Sequence, residues 1–264
     1  MTSLRVALHQ GPARAPRTVE DGLSAIDDAA RRAAARGARL LVTPELSLTG
    51  YALGDRVAAL AEPAGGDSAR AVARIAREHG IALVHGYPEL DGGSVHNSVA
   101  LTGPDGSVLA GYRKTHLYGG WERAHFTPGG RLLVQADLEG VRIGLLVCYD
   151  VEFPETVRAH ALAGTELLVV PTALMRPYDI VPRTVVPARA WENQLYLAYA
   201  NRQGREGEFD FAGLSCLAAP DGTVPARAGS GEELLLADVD TAALRASRAQ
   251  TTYLDDRRGD LYAA

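Results

Sequence analysis

Three residues have the types, and stand at the kind of places, from which acyl-transfer chemistry is built. They are Glu45 in "LLVTPELSLTGY", Lys114 in "GYRKTHLYGG" and Cys148 in "GLLVCYD". Each lies at or just beyond the end of an apolar, strand-like run, where layered α/β proteins release side chains into the crevice that holds a ligand. A thiol supplies a nucleophile once a neighbouring base takes its proton. A carboxylate poised near neutrality by partial desolvation is the natural base. An ammonium stabilises the thiolate and then the oxyanion of a tetrahedral intermediate. Taken singly, each residue has a plainer reading. A Cys ending an apolar strand is commonly a small buried hydrophobe, a Glu after a Pro is a first-turn helix acid, and a Lys after a strand is a solvated end. The basic residues add a further observation: of 27, all but Lys114 are arginine. A sole lysine is either a stray or a position where a compact ammonium, able to lose a proton, has no substitute. Cys216, in "GLSCLAAPDG" with no acid or base beside it, reads as core.

Other chemistries find fewer parts. There is no Gly-x-Ser-x-Gly elbow, and with one lysine at 114 there is no Gly-x-x-x-x-Gly-Lys phosphate loop. The histidines at 9, 79, 85, 96, 116, 125 and 160 show no His-Glu-x-x-His spacing, and the two cysteines form no Cys-x-x-Cys, so no metal site is expected. A papain-like pair of Cys148 with His85 or His116 stays open, but it leaves Glu45 and Lys114 without a task. With 264 residues, 47% of them hydrophobic, the chain is expected to form one domain over 1–264. A net charge of −5 argues against general affinity for nucleic acid or anionic membrane. The segment "MTSLRVALHQG" has no signal-peptide pattern and no apolar run approaches the roughly 18 residues of a membrane span, so a cytoplasmic protein is expected.

The elements that must position these residues alternate between strand and helix. "LRVALHQ", "ARLLVTPEL" and "IALVHGYPE" read as strands, with helices over 18–36 and 68–79 between them, each stopped by a glycine. "SVHNSVALTGPDGSVLAGYRK" and "LLVQADLEGVRIGLLVCYD" read as hairpins turning at Pro-Asp-Gly and Glu-Gly. A helix from Pro154 to about Leu162, the strand "ELLVVPTA", a helix from Val185 to Gln194 and the strand "LYLAYANR" follow. A third hairpin, "LSCLAAPDGTVPAR", the strand "ELLLADVD" and a helix over 241–250 complete the chain, with no linker and no repeat of fixed period. Such a mixture predicts an α/β fold of mixed sheets covered by helices.

At this level of detail the chain resembles a known family. "PELSLTGY", "YRKTHLYGGWERAHFTPG" and "GLLVCYDVEFPE" look like the three signature blocks of the nitrilase (carbon–nitrogen hydrolase) superfamily, in its order. "HNS", "PARAWENQ" and "NRQG" match further blocks. The resemblance implies a four-layer α-β-β-α sandwich, assembled as a homodimer or higher homo-oligomer, with no cofactor and a small-molecule amide as substrate. It implies Glu45 as general base and acid, Lys114 as stabiliser of the oxyanion, Cys148 as nucleophile and Glu122 as a second glutamate that positions the lysine. The N–H of Tyr149 would complete the oxyanion hole; Tyr51, Tyr118 and Ala173 read either as wall residues of the pocket or as core packing. Trp121 is expected to narrow the pocket or stack in it.

"CYDVEFPE" is more similar to the amidase-like branches than to true nitrilases, whose cysteine is generally followed by Trp-Glu. The ω-amidases of those branches typically read Cys-Tyr-Asp-x-Arg-Phe, with the arginine on a substrate carboxylate; here Glu152 stands in its place. That exchange predicts a substrate with a distal cation, unless Glu152 pairs with a scaffold arginine. The whole-chain pattern is most similar to the branch acting on 5-aminopentanamide. Amidases of 4-guanidinobutyramide, N-carbamoyl amine hydrolases, ω-amidases, nitrile hydrolysis and a catalytically silent interaction protein are the alternatives.

Overall fold

The computed structural model describes residues 3–12 and 14–262. In chain order the first half runs β1 (Ser3–Gln10), α1 (Val19–Ala34), β2 (Leu40–Val42), the single turn α2 (Val57–Leu60), α3 (Asp67–His79), β3 (Ala82–Asp91), β4 (Ser94–Thr102), β5 (Val108–Arg113) and α4 (Gly119–His125). The second half runs β6 (Gln135–Leu138), β7 (Val141–Leu145), α5 (Pro154–Leu162), β8 (Leu167–Pro171), α6 (Val186–Asn193) and β9 (Tyr196–Ala200). It ends with β10 (Gln203–Glu206), β11 (Phe209–Ala212), β12 (Cys216–Ala218), β13 (Ala226–Arg227), β14 (Glu233–Asp240) and α7 (Thr241–Gln250).

The strands form two six-stranded sheets, β14-β1-β2-β3-β4-β5 and β13-β12-β9-β8-β7-β6, with β10 and β11 as a separate ribbon. Both sheets repeat one pattern of pairings. An antiparallel edge pair (β14 with β1, β6 with β7) is followed by two parallel pairs and then two antiparallel ones. The two sheets thus share one order of parallel and antiparallel pairings, although the edge strand β14 of the first comes from the C-terminal end of the chain. No repeat of fixed period shows in the sequence because the likeness lies in that pairing order, while the connections differ.

Alternation builds the layers. Along β1, Val6 and Leu8 belong to the core that runs between the sheets with Val42, Val84, Ile143, Leu145 and Val169, whereas Ala7 faces the other way toward α1 and α3. Ile26, Ala29, Ala30 and Ala33 form one stripe of α1 at helical spacing, and their small size lets the helix lie close on the first sheet. On the second sheet the outer layer is α5 and α6, through Val157, Ala161, Val186 and Ala190. The architecture is therefore α-β-β-α, as the family resemblance implies.

Local signals place most boundaries. Thr18 caps α1 in a reciprocal box with Asp21, an arrangement that contributes about 1 kcal/mol. Glu139 and Gly140 both take positive φ at the β6–β7 turn, as a two-residue hairpin requires. Other elements depart from expectation. "ARLLVTPEL" keeps strand geometry only over Leu40–Val42, and α2, α4 and the β10–β11 ribbon carry no clear periodic pattern. Among the described residues no helix is long and apolar enough to cross a membrane.

Candidate active site

The parallel strands of both sheets deliver their C-terminal ends to one side of the molecule. Glu45 follows β2, Cys148 follows β7 and Ala173 follows β8, while Lys114 directly follows β5, which runs in the sense of β3 after two antiparallel pairings. The Lys114 N–H donates to the carbonyl of Asn97 on β4, and the Glu45 N–H to that of Thr172 at the end of β8, so the two sheets are stitched together at this point.

The side chains meet in a buried cluster. Lys114 Nζ donates to Glu45 Oε1 at 2.8 Å and to Glu122 Oε1 at 2.6 Å, and all three side chains are completely shielded from solvent. Asn97 Nδ2 donates to Glu45 Oε1 at 2.6 Å, which leaves Glu45 Oε2 buried with no partner among the described residues. Glu122 is held by the Tyr51 hydroxyl at 2.7 Å on one oxygen and the Tyr118 N–H at 2.7 Å on the other. One ammonium thus lies between two carboxyl groups, with one carboxylate oxygen unused.

Electrostatics follow from that count. Burial pushes the Glu45 carboxyl above the ordinary glutamate range, against the pull of Lys114. Burial opposes the Lys114 charge, yet Glu45 and Glu122 together hold its ammonium well above the usual lysine range. The Cys148 thiol is pushed well above its usual range, first by burial and then by Glu45, with Lys114 opposing. A resting thiol with a carboxylate close by, rather than a preformed thiolate–cation pair, is the state this arrangement favours. Burial, with Glu122 and Glu45, likewise keeps the Tyr51 phenol protonated as a donor.

Cys148 does not continue the strand. It opens a tight turn, Cys148–Glu152, with φ +47°, a left-handed conformation that a β-carbon disfavours by about 1–3 kcal/mol. Asp150 holds the turn in place. Its Oδ2 accepts from the Val147 N–H and the Tyr112 hydroxyl, and its Oδ1 from the Thr115 hydroxyl and the His116 N–H. One buried carboxylate therefore ties the cysteine turn to the segment that carries Lys114. Asp150→Ala leaves these donors unpaired, and urea unfolding should show a loss of roughly 3 kcal/mol or more.

The glutamate side is tight as well. A β-carbon at Gly86 of β3 would lie 2.5 Å from the Leu46 nitrogen, so only glycine lets the Glu45 segment approach.

Cys148 opens into a cavity of about 250 Å³ that Tyr51, Tyr118, Tyr149, Glu152 and Ala173 line, with Leu174, Met175 and Tyr178. The Tyr118 ring meets those of Tyr149 and Tyr178 edge to face, at 5.3 and 6.4 Å. The scaffold arginine nearest in role to a partner for Glu152 is Arg189, but it donates to the main-chain carbonyls of Val151 and Glu152 and to the carboxylate of Glu192. Among the described residues no hydrogen bond or ion pair reaches the Glu152 carboxylate. Burial raises its pKa above the usual glutamate range, against Lys114 and Arg189.

Three expectations change. Trp121 does not line the cavity; it packs behind Tyr51, at 4.9 Å, and against Phe126 and Phe209. His116 is bonded to Asp150 and stacked on Phe153, and His85 is buried against Tyr87 with its pKa lowered to about 4, so neither is placed as a partner for Cys148. Asn97, Asp150 and Tyr178 also belong to the site, although their sequence positions do not mark them as functional. Asn97 sits inside the "HNS" block, which was the one available signal; Tyr178 is brought in by an irregular segment after β8.

Comparison with known proteins agrees with the layered fold. Residues 5–249 match the carbon–nitrogen hydrolase family model. A Pseudomonas protegens protein named as a hydrolase in the pqqF 5′ region is 45% identical over 262 residues, covering 98% of this chain and 91% of its own. An (R)-stereoselective amidase of a Pseudomonas species is 41% identical, covering 83% of this chain and 79% of its own. The structure of an alanine-for-cysteine mutant of the amidase from Nesterenkonia sp. AN1, in complex with butyramide, superposes with a TM-score of 0.88 at 40% identity, covering 98% of this chain and 95% of that one. With its layered fold, its cluster of glutamate, lysine and cysteine and this match over almost its full length, the chain belongs to the carbon–nitrogen hydrolase family, the nitrilase superfamily.

Proposed function

We propose that the protein is a cysteine-dependent amidase that hydrolyses a small primary amide carrying a distal cation, 5-aminopentanamide or a close analogue, to carboxylate and ammonia. The observation that carries the substrate reading is Glu152: a carboxylate lining the cavity of Cys148, with no cation of the protein bonded to it. Leaving such a group unpaired is costly, and a substrate ammonium or guanidinium compensates it. The tyrosine rings around it offer faces to the same charge. A cavity of about 250 Å³ lies below the ~300–1,000 Å³ of pockets for drug-sized ligands, which suits a short chain.

The chemistry starts from the neutral thiol. As Cys148 Sγ attacks the amide carbon, Glu45 Oε2 takes its proton, so sulfur gains a bond to carbon while losing its bond to hydrogen. The carbonyl oxygen becomes an oxyanion, held by the N–H of Lys114 Nζ that faces neither Glu45 nor Glu122 and by the Tyr149 N–H at the start of its turn. Glu45 returns the proton to the amide nitrogen, the carbon–nitrogen bond breaks and ammonia leaves a thioester. A water then gives a proton to Glu45, attacks the thioester carbon, and the sulfur departs as thiol with that proton. One carboxylate serves both half-reactions because its free oxygen is bare and its pKa is raised.

Ammonia release from 5-aminopentanamide, 4-guanidinobutanamide, glutaramate and butyramide tests the reading. Glu152→Gln should lower kcat/KM for the cationic amides by about 10–100-fold and leave butyramide within a few-fold. Preference of the wild type for glutaramate, or an equal loss on every amide, would refute the charge assignment. Carbon dioxide released along with ammonia would point to an N-carbamoyl amine instead.

A further inference from the structure

Arg202, the residue before β10, and Glu206, the last residue of β10, form a buried ion pair that does not itself line the cavity or belong to the cysteine turn. Arg202 Nη1 donates to Glu206 Oε1 at 2.6 Å, with side chains only 3% and 6% exposed. The rest of each group is spent on a single segment. Arg202 Nε donates to the main-chain carbonyl of Glu45 at 3.0 Å and Nη2 to that of Leu46 at 2.7 Å. Glu206 Oε2 accepts from the Tyr51 N–H at 2.7 Å and the Ala52 N–H at 3.3 Å.

A buried ion pair is weak evidence for stability, because desolvation offsets much of its attraction. What this one supplies is geometry. Leu46 has φ +48°, and the carbonyls on either side of that residue both meet the one planar guanidinium fork. The far end of the same loop meets the carboxylate. The contacts close a ring: Arg202 to the Glu45 backbone, Glu206 to the Tyr51 backbone, the Tyr51 hydroxyl to Glu122, and Lys114 from Glu122 back to the Glu45 side chain.

We propose that Arg202 and Glu206 are positioning residues, a clamp that fixes both ends of the 45–52 loop and so aims the free oxygen of Glu45 at the reacting thiol and water. The inference rests on Glu45 being the base of the reaction proposed above. A carboxylate displaced by about 1 Å loses on the order of 10²-fold in rate. It also moves relative to Lys114, whose charge is the main force holding its pKa down.

Arg202→Lys keeps the charge beside Glu206 but cannot reach two carbonyls and the carboxylate at once; Glu206→Gln is the milder change. Both are compared with the wild type on the amide that it turns over best. We expect kcat to fall by about 30–100-fold in Arg202→Lys and about 10-fold in Glu206→Gln. The acidic limb of kcat/KM, set by Glu45, should move to higher pH, while the rate of Cys148 alkylation at pH 8 stays within a few-fold. Wild-type kcat in either folded variant overturns the clamp. So does a fall in kcat with the acidic limb unmoved, which marks a merely structural pair. If Arg202→Lys does not fold, Glu206→Gln decides by the same two readouts. A wild type that turns over no amide refutes the function itself and is seen before any variant is made.

Discussion

Replacing Lys114 by arginine should cut kcat/KM by about 10³-fold or more, equivalent to about 4 kcal/mol of transition-state stabilisation, while the protein stays folded. The substitution keeps a positive charge between Glu45 and Glu122, so neither carboxylate is abandoned in the interior. What it changes is shape. Lys114 Nζ is a single atom that reaches Glu45 at 2.8 Å and Glu122 at 2.6 Å and has a third N–H to offer an oxyanion. A planar guanidinium spreads its donors over a fork and needs room that this fully buried site lacks. Lys114→Met is the informative contrast: with two buried carboxyl groups left facing each other, it should lose about 3–5 kcal/mol of stability as well as activity. Steady-state kinetics beside thermal unfolding separates the two effects, and wild-type turnover by Lys114→Arg would remove the lysine from the mechanism.

Glu45→Gln should produce losses in the same range, about 10³–10⁴-fold in kcat, with a second effect of opposite sign. Glutamine retains the size of the side chain and an acceptor for Lys114 and Asn97, but it cannot take a proton from the thiol or from water. Turnover therefore falls. The Cys148 thiol, in contrast, loses a neighbouring negative charge that holds its pKa up, second only to burial. Its ionisation should move to lower pH, so the midpoint of alkylation by iodoacetamide should fall while amide hydrolysis is nearly lost. In the mechanism proposed above, the productive state of the wild type needs Glu45 charged and Cys148 and Lys114 protonated. Because the Glu45 pKa is raised, the acidic limb of kcat/KM should lie above the ordinary glutamate value. Because those of Cys148 and Lys114 are raised well above their usual ranges, the alkaline limb should lie beyond that of an ordinary cysteine. An acidic limb at or below the ordinary glutamate range would argue against a desolvated carboxylate as the base.

The substrate reading depends on one substitution in a turn. The position after "CYDV" carries a carboxylate, and in the fold that carboxylate faces the cavity while the nearby Arg189 is occupied by main-chain carbonyls and Glu192. An arginine able to neutralise Glu152 would have removed the argument for a cationic substrate; the packing of α6 directs it elsewhere.

The sequence alone determined the alternation of strands and helices, most of their boundaries and the strand-end positions of Glu45, Lys114 and Cys148. These follow from local physics: two-residue and 3.6-residue periodicity, capping by Thr18, and turn residues such as Glu139-Gly140. Only the tertiary structure decided which groups meet and what they do to one another. The carbonyl of Asn97 meets the Lys114 N–H because β4 pairs with β5, and its amide reaches Glu45 because β2 and β4 flank β3; neither contact is written in a window of residues. The helix that brings Glu122 to Lys114 is seven residues long, too short to show a period. Cys148 leaves the strand in a left-handed turn that Asp150 sustains through donors from both halves of the chain, and Arg202 grips a segment far earlier in sequence. Burial does the rest. Desolvation raises a carboxyl and a thiol together, and desolvation is a property of the packed layers around a residue rather than of the residue itself.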